Sequence, residues 1–228
     1  MHLHAIIFDF DGVIVDSEPL HFEGFRRVLQ RVDITLTREA YYQHYLGYDD
    51  EDCFAVVARD QGVSLDGETI RSLIAEKTAW MQQALSAEIE PLPGAVSLIR
   101  DLSADGVPLA ICSGALRDEI LIAARCVGVL DHFLHVVAAE DVAAGKPDPQ
   151  GYRIARERLA ASTGSDIPPE RCVVIEDSPA GITAAKSAHM NVLAVATSYD
   201  PGDLTDADRI VESLETVSPA EVRSLLQQ

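Results

Sequence analysis

The sequence predicts an α/β protein: a core of parallel strands wound with helices, interrupted after its first strand by an all-helical insert. Three observations predict it. Short, continuous apolar runs alternate with helical patterns over most of the chain, as strands buried on both faces do. The interval from about Asp16 to about Pro91 breaks that alternation and reads as helix after helix. Several apolar runs end abruptly in polar residues, and in parallel sheets ligands bind beyond the carboxyl ends of the strands.

The first strand is Ala5–Phe8. Helices follow over Leu20–Val32, Arg38–Leu46, Glu51–Asp60 and Glu68–Leu85, with no strand between them. Pro91-Leu92-Pro93-Gly94 then marks the return to the sheet, because proline restricts its predecessor and stiffens the crossing. A helix from near Gly94 places Ala95, Leu98, Ile99 and Leu102 on one face. After it come a strand over Val107–Cys112, a helix over Leu116–Val127, a strand over Leu134–Ala138 and a helix over Pro149–Ala161. A strand over Cys172–Ile175, a helix over Pro179–His189, a strand over Val192–Ala196 and a weak strand near Arg209–Val211 complete the order. Residues 1–15 and 92–228 are thus expected to form the α/β core and residues 16–91 a helical domain, with a hinge at the connections near Val15 and Pro91.

At 228 residues the chain can bury a sizeable core. Its net charge of -19 argues against nucleic acid or an anionic membrane as partner, since both need basic surface, and points to a soluble monomer. Cys53, Cys112, Cys126 and Cys172 form no CxxC pair; Cys112 and Cys172 lie in apolar runs and read as small buried residues in a reducing compartment. With no signal-peptide pattern and no bilayer-length apolar run, the expected location is cytoplasmic.

The opening stretch AIIFDFDGVIVDSEPLH drives a buried strand straight into Asp9 and Asp11. Ser113 and Gly114 follow a second strand, Glu176 and Asp177 follow CVVI, and Lys146 lies in AAGKPDP before a helix. Singly, each is an ordinary turn or cap; together, at strand ends, they converge on one rim. Carboxylates gathered there repel one another unless a hard cation sits among them, and oxygen-only ligands suit magnesium. Of two carboxylates one residue apart, one can attack and the other move a proton. Gly12 removes a side chain where the backbone turns closely. The Ser113 hydroxyl, free amides at the following helix N-terminus and Lys146 suit an oxygen-rich anion such as a phosphoryl group.

The pieces FDFDGVIVDSEPLH, ICSGALRDE, AAGKPDPQGY and VIEDSPAGITAAK, in that order, resemble the haloacid dehalogenase superfamily of phosphohydrolases, in the subgroup whose helical cap is inserted after the first strand. The resemblance implies a Rossmann-like parallel sheet core with an inserted all-helical cap. It implies Asp9 as the nucleophile that becomes an aspartyl-phosphate, and Asp11 as general acid/base with its carbonyl on the metal. Ser113, Gly114 and Lys146 would bind phosphate; Asp177, with Glu176 beside it, would hold Mg2+. Asp11 also argues against dehalogenation, whose branch lacks a proton-transferring aspartate there.

The pattern is nearest the β-phosphoglucomutase-like and sugar-phosphate phosphatase branch, in which cap residues select the substrate. His21 matches a cap-side histidine that in the mutase helps couple closure to proton transfer, Lys77 matches a cap lysine that points toward the substrate in relatives, and Glu18 lies at the cap entrance; a helix-face histidine and an exposed lysine are the plainer readings. In YLGYDDEDC, Leu46 and Asp50 stand where the mutase carries a lysine and an arginine for a second phosphate. Asp50 should repel such a group, unless Asp49 and Asp50 merely cap the next helix. The expected function is therefore Mg2+-dependent hydrolysis of a small phosphorylated metabolite, a sugar or polyol monophosphate. A phosphomutase of the same fold and a receiver-like phosphorylatable signalling module are the alternatives.

Overall fold

The computed structural model describes residues 5–46 and 48–227. It divides into two compact units: Met1–Asp16 with Ile89–Gln228, and Ser17–Glu88.

In the first unit, β1 (Ala5–Phe8) is buried along its whole length. The chain re-enters at Pro91, where Leu92 N–H donates to Ile14 O at 2.8 Å, and Gly94 begins α5 (Ala95–Ala104). Gly94 has φ +83°, and a side chain there would collide with the backbone at Leu214 and Glu215, so the position requires glycine. Next come β2 (Leu109–Cys112), α6 (Arg117–Cys126), β3 (His135–Val137) and α7 (Gln150–Thr163). The unit ends with β4 (Cys172–Glu176), α8 (Pro179–Ser187), β5 (Asn191–Val195), β6 (Arg209–Val211) and α9 (Pro219–Ser224).

The strands form one parallel six-stranded sheet in the order β3-β2-β1-β4-β5-β6. The winding runs outward from β1 in both directions, so the switch in strand order, where α/β sheets bind ligands, falls at its carboxyl end. Phe8 pairs with Ile111 on one side and Ile175 on the other. That register sets the next residue, Asp9, alongside Cys112 and Glu176, and Asp9 N–H donates to Ile175 O at 2.9 Å. Beneath, Ile7, Ala110, Val174, Tyr152, Ala155 and Val192 belong to one buried apolar cluster that fixes the strands under the rim.

Several boundaries move. The second strand starts after Pro108 rather than at Val107, whose N–H closes the turn after α5 on Leu102 O. Leu134 and Ala138 lie outside β3, and Leu134 is exposed. The helix expected to run to His189 ends at Ser187: His189 takes φ +62° and Met190 N–H folds back to Ala185 O. Cys53, Cys112 and Cys172 are buried, and Cys126 is exposed.

The second unit holds α1 (Glu18–Leu29), α2 (Arg38–Ala40), α3 (Asp50–Asp60) and α4 (Gly67–Glu88). Helix α1 packs along α4, and Gly24 makes this possible, because even a Cβ there would press on Lys77 and Trp80 at 3.1–3.2 Å. The single helix expected over Arg38–Leu46 is α2 followed by a π-helical turn, Tyr41–Tyr45. The wider turn accompanies the packing of Tyr41 against Phe22 and Phe25, with its hydroxyl on Glu18. Among the described residues, no helix is long and apolar enough to cross a membrane.

Candidate active site

Asp9 extends β1 by one residue, and both its position and its burial follow from the register of that strand. Lys146 reaches it from the loop before α7. That loop is fixed by Gln150, whose side-chain carbonyl accepts from Ala143 and Ala144 N–H, and by Asp148 N–H on Gly145 O. The Lys146 ammonium lies 2.7 Å from Asp9 Oδ1 and 2.6 Å from Glu176 Oε1. Asp9, Glu176 and Asp177 are all buried, and one carboxylate oxygen of each lies within 4.8 Å of the others.

Glu176 closes β4 and is enclosed by donors. Oε1 accepts from Lys146 and, at 2.9 Å, from the Tyr152 hydroxyl. Oε2 accepts from the backbone N–H groups of Asp177 and Ser178, each at 2.8 Å, and from the Ser178 hydroxyl at 2.9 Å. Ser178 also caps α8, its Oγ accepting from Gly181 N–H. Gly181 must be glycine, since a Cβ would overlap the Glu176 carboxylate.

Gly12 plays the same part beside Asp177. It has φ +73°, and a Cβ there would fall on the Asp177 carboxylate. Thr197 Oγ1 donates to Gly12 O, and the Ser198 side chain bonds Asp177. Asp11, one residue before Gly12, lies close enough to raise the Asp177 carboxyl electrostatically.

These charges do not balance. Burial drives the Asp9 carboxyl well above its ordinary range; Lys146 opposes this, and Glu176 and Asp177 add to it. Burial likewise pushes Asp177 up to about 6, with Glu176 and Asp11 contributing. The Lys146 ammonium is disfavoured by burial, yet Asp9 and Glu176 outweigh that and hold it charged. Lys146 thus faces the buried carboxylates of Asp9, Glu176 and Asp177, a donor set of oxygens only with a glycine-lined cradle at Asp177, and that set fits a hard divalent ion.

Beyond β2, Ser113 is buried, its N–H on Val137 O and its Oγ accepting from Ala115 N–H at 3.0 Å; Gly114 is exposed beside it. The expectation of free helix amides here is narrowed at two positions. Ala115 N–H serves Ser113, and Arg117 N–H, the first of α6, donates to Glu140. The turn presents Ser113 and Gly114 beside these two engaged amides. Arg117 and Arg158 both grip Asp141, tying the loop after β3 to α6 and α7.

The helical unit gathers the remaining candidates around Lys77, which is only 1% exposed and so no surface lysine. Its ammonium lies 2.5 Å from Asp50 Oδ1, 3.1 Å from His21 Nδ1 and 4.2 Å above the Phe25 ring. Glu18 accepts from Tyr41. Asp49, not Asp50, caps α3, its Oδ1 accepting from Asp52 N–H at 2.8 Å. The expectation of a bare repelling carboxylate at Asp50 changes accordingly: Asp50 and Lys77 neutralise each other. Leu46 is exposed, and Gly47 of the same loop lies outside the described residues.

Burial, then Lys77, lowers His21 to about 3, so its imidazole is neutral and accepts from the ammonium. An unfolded imidazole protonates near 6.5, so the unfolded chain binds more protons below that value and stability falls as pH falls from 6.5 towards 3. Chemical denaturation between pH 7 and 5 is expected to show this loss, at most about 2 kcal/mol by pH 5. His21→Gln should flatten the slope, and an unchanged slope would remove His21 from the network.

Sequence reading missed Tyr152, Thr197, Ser198 and the second role of Ser178. Thr197 and Ser198 come one residue after β5, so the strand-tip rule that found Asp9 reaches them too; Tyr152 carries no such signal, because it sits inside a helix.

The profile of the haloacid dehalogenase-like hydrolases matches residues 3–189. The validoxylamine A 7'-phosphate phosphatase of Streptomyces hygroscopicus subsp. limoneus is 29% identical over 92% of this chain and 94% of its own. The β-phosphoglucomutase of Bacillus subtilis is 28% identical over 85% and 83%. The crystal structure of CbbY from Rhodobacter sphaeroides in complex with phosphate superposes with a TM-score of 0.84 at 26% identity, covering 96% of this chain and 99% of that one.

Proposed function

The chain belongs to the haloacid dehalogenase-like hydrolases, and from that premise we propose that it hydrolyses a small sugar or polyol monophosphate, with Asp9 as nucleophile and Mg2+ as cofactor. The observation that carries this reading is Lys146 at 2.7 Å from Asp9 Oδ1, with Glu176 and Asp177 gathered beside them at the strand tips.

Asp9 and Asp177, with the Asp11 carbonyl and with Glu176 beside them, are the residues to hold the ion. When bound, it supplies the positive charge that the carboxylates and the phosphoryl oxygens lack. Lys146, Ser113 and Gly114 bind and orient the phosphoryl group. An Asp9 carboxylate oxygen attacks phosphorus as the ester P–O bond breaks, and Asp11 gives its proton to the departing alkoxide. Asp11 then takes a proton from water, whose oxygen attacks phosphorus and releases inorganic phosphate and the Asp9 carboxylate.

Relatives at nearly equal identity include a phosphatase and a mutase, so the choice between them rests on the helical unit. A buried lysine already paired with Asp50, beside a neutral His21, offers no surplus cation to a second phosphate. The same polar cluster suits hydroxyl groups. Purified protein screened against phosphorylated metabolites, with Asp9→Asn as control, is expected to release phosphate fastest from sugar and polyol monophosphates. Conversion of a hexose 1-phosphate to its 6-phosphate without free phosphate, given trace bisphosphate, would establish the mutase instead. A single sub-stoichiometric burst from p-nitrophenyl phosphate would favour the signalling module.

Chelation should abolish turnover and added Mg2+ restore it. The ion should also raise the melting temperature, and more at pH 8 than at pH 5. Asp177 folds with its pKa raised to about 6, so metal-free stability falls as pH rises from the ordinary carboxylate value through 6. A bound cation offsets that loss only once the carboxylates are ionised. An increment independent of pH would count against Asp177 as a ligand.

A further inference from the structure

Tyr152 is almost fully buried in α7, in an apolar cluster with Ala155, Leu159 and Val174. Packing alone asks for a ring there, not a phenol, and a buried hydroxyl is costly unless bonded. Among the described residues its hydroxyl bonds Glu176 Oε1, the same oxygen that holds Lys146. Its ring also lies under that lysine, 5.3 Å from the ammonium to the centroid.

We propose that Tyr152 is a positioning residue that sets how Lys146 divides between Glu176 and Asp9. The ammonium sits between two carboxylates at 2.6 and 2.7 Å. An Oε1 that also accepts from the phenol makes less demand on the lysine, and the ring face fixes the height of the ammonium. Without the hydroxyl, Oε1 has Lys146 alone and draws it from Asp9 and from the phosphoryl oxygens that bind there. The inference rests on the reading of Lys146 as a phosphate-binding cation.

Tyr152→Phe keeps the ring and its packing. Isothermal titration with inorganic phosphate at saturating Mg2+ is expected to show affinity lowered by about fivefold, the scale of one ordinary hydrogen bond, since the phenol acts only through the lysine. Titration with Mg2+ alone should show no weakening, and the melting temperature in chelator should stay within about 3 °C. Lys146→Ala should weaken phosphate further, and adding Tyr152→Phe to it should change the affinity by less than about twofold, because the tyrosine acts through the lysine. Phosphate affinity unchanged in Tyr152→Phe but lowered in Lys146→Ala overturns the role of Tyr152 alone, as do additive effects in the double variant. Phosphate affinity unchanged in Lys146→Ala overturns the reading of the lysine, and the role of Tyr152 with it.

Discussion

Asp9→Asn is expected to lower kcat for p-nitrophenyl phosphate by at least about 10^4-fold while leaving the metal-free protein no less stable. The loss of rate follows from chemistry: an amide is isosteric with the carboxylate but does not attack phosphorus. The stability follows from the electrostatics of the site. Asp9 is buried at the end of a strand, and its carboxyl is driven upward by burial and by two neighbouring carboxylates against the pull of one lysine. Neutralising it relieves that repulsion, and Lys146 retains Glu176 at 2.6 Å. Groups held under strain for chemistry commonly behave this way, with function and stability opposed. Turnover under saturating Mg2+ and melting in chelator measure the two sides separately. A variant keeping more than about one part in a hundred of kcat would remove Asp9 from the nucleophilic role. A melting temperature lowered by about 10 °C would make Asp9 a support of the fold instead.

What the sequence made legible was whatever strand register controls. A buried strand ending in a carboxylate can be placed on the rim before any coordinates exist, because parallel strands buried on both faces have one polar end for ligands. Asp9, Ser113, Glu176 and Asp177 were legible for that reason, and the register at Phe8 explains why Asp9 and Glu176 lie side by side. Pairings between side chains distant in sequence were not. Asp50 reads as a cap or a repelling charge until α4 brings Lys77 to it across 27 positions. The amides after Ser113 read as free until Glu140, from beyond another strand, takes one. Tyr152 reads as core, which it is; only its hydroxyl partner shows more. The π-helical turn at Tyr41–Tyr45 was invisible because no local residue preference marks it; it accompanies aromatic packing across the helical unit.

Glu176→Gln is expected to be the most destabilising single-atom change in the α/β unit. A carboxylate accepts at both oxygens, and here both are engaged: Lys146 and Tyr152 donate to one, and two backbone N–H groups and the Ser178 hydroxyl to the other. An amide accepts at one oxygen only, so either orientation turns its NH2 group against donors. Rotation gives little relief, because Gly181 lies against the carboxylate so closely that even a Cβ would overlap it. The change also removes the nearer of the two carboxylates that hold Lys146 and leaves Asp9 to hold it alone. Breaking a buried pair from one side costs about 3–5 kcal/mol, which in a protein of this size lowers the melting temperature by about 10 °C. Asp105→Asn, which removes the partner of Arg223 at an ion pair exposed on both sides, removes the same formal charge and should cost no more than about 1 kcal/mol. Denaturant unfolding of the two variants against the parent checks the contrast. Equal losses would mean that Glu176 contributes only charge; the expected several-fold difference arises because its two oxygens hold the lysine, the start of α8 and the tip of β4 in one geometry around Asp9.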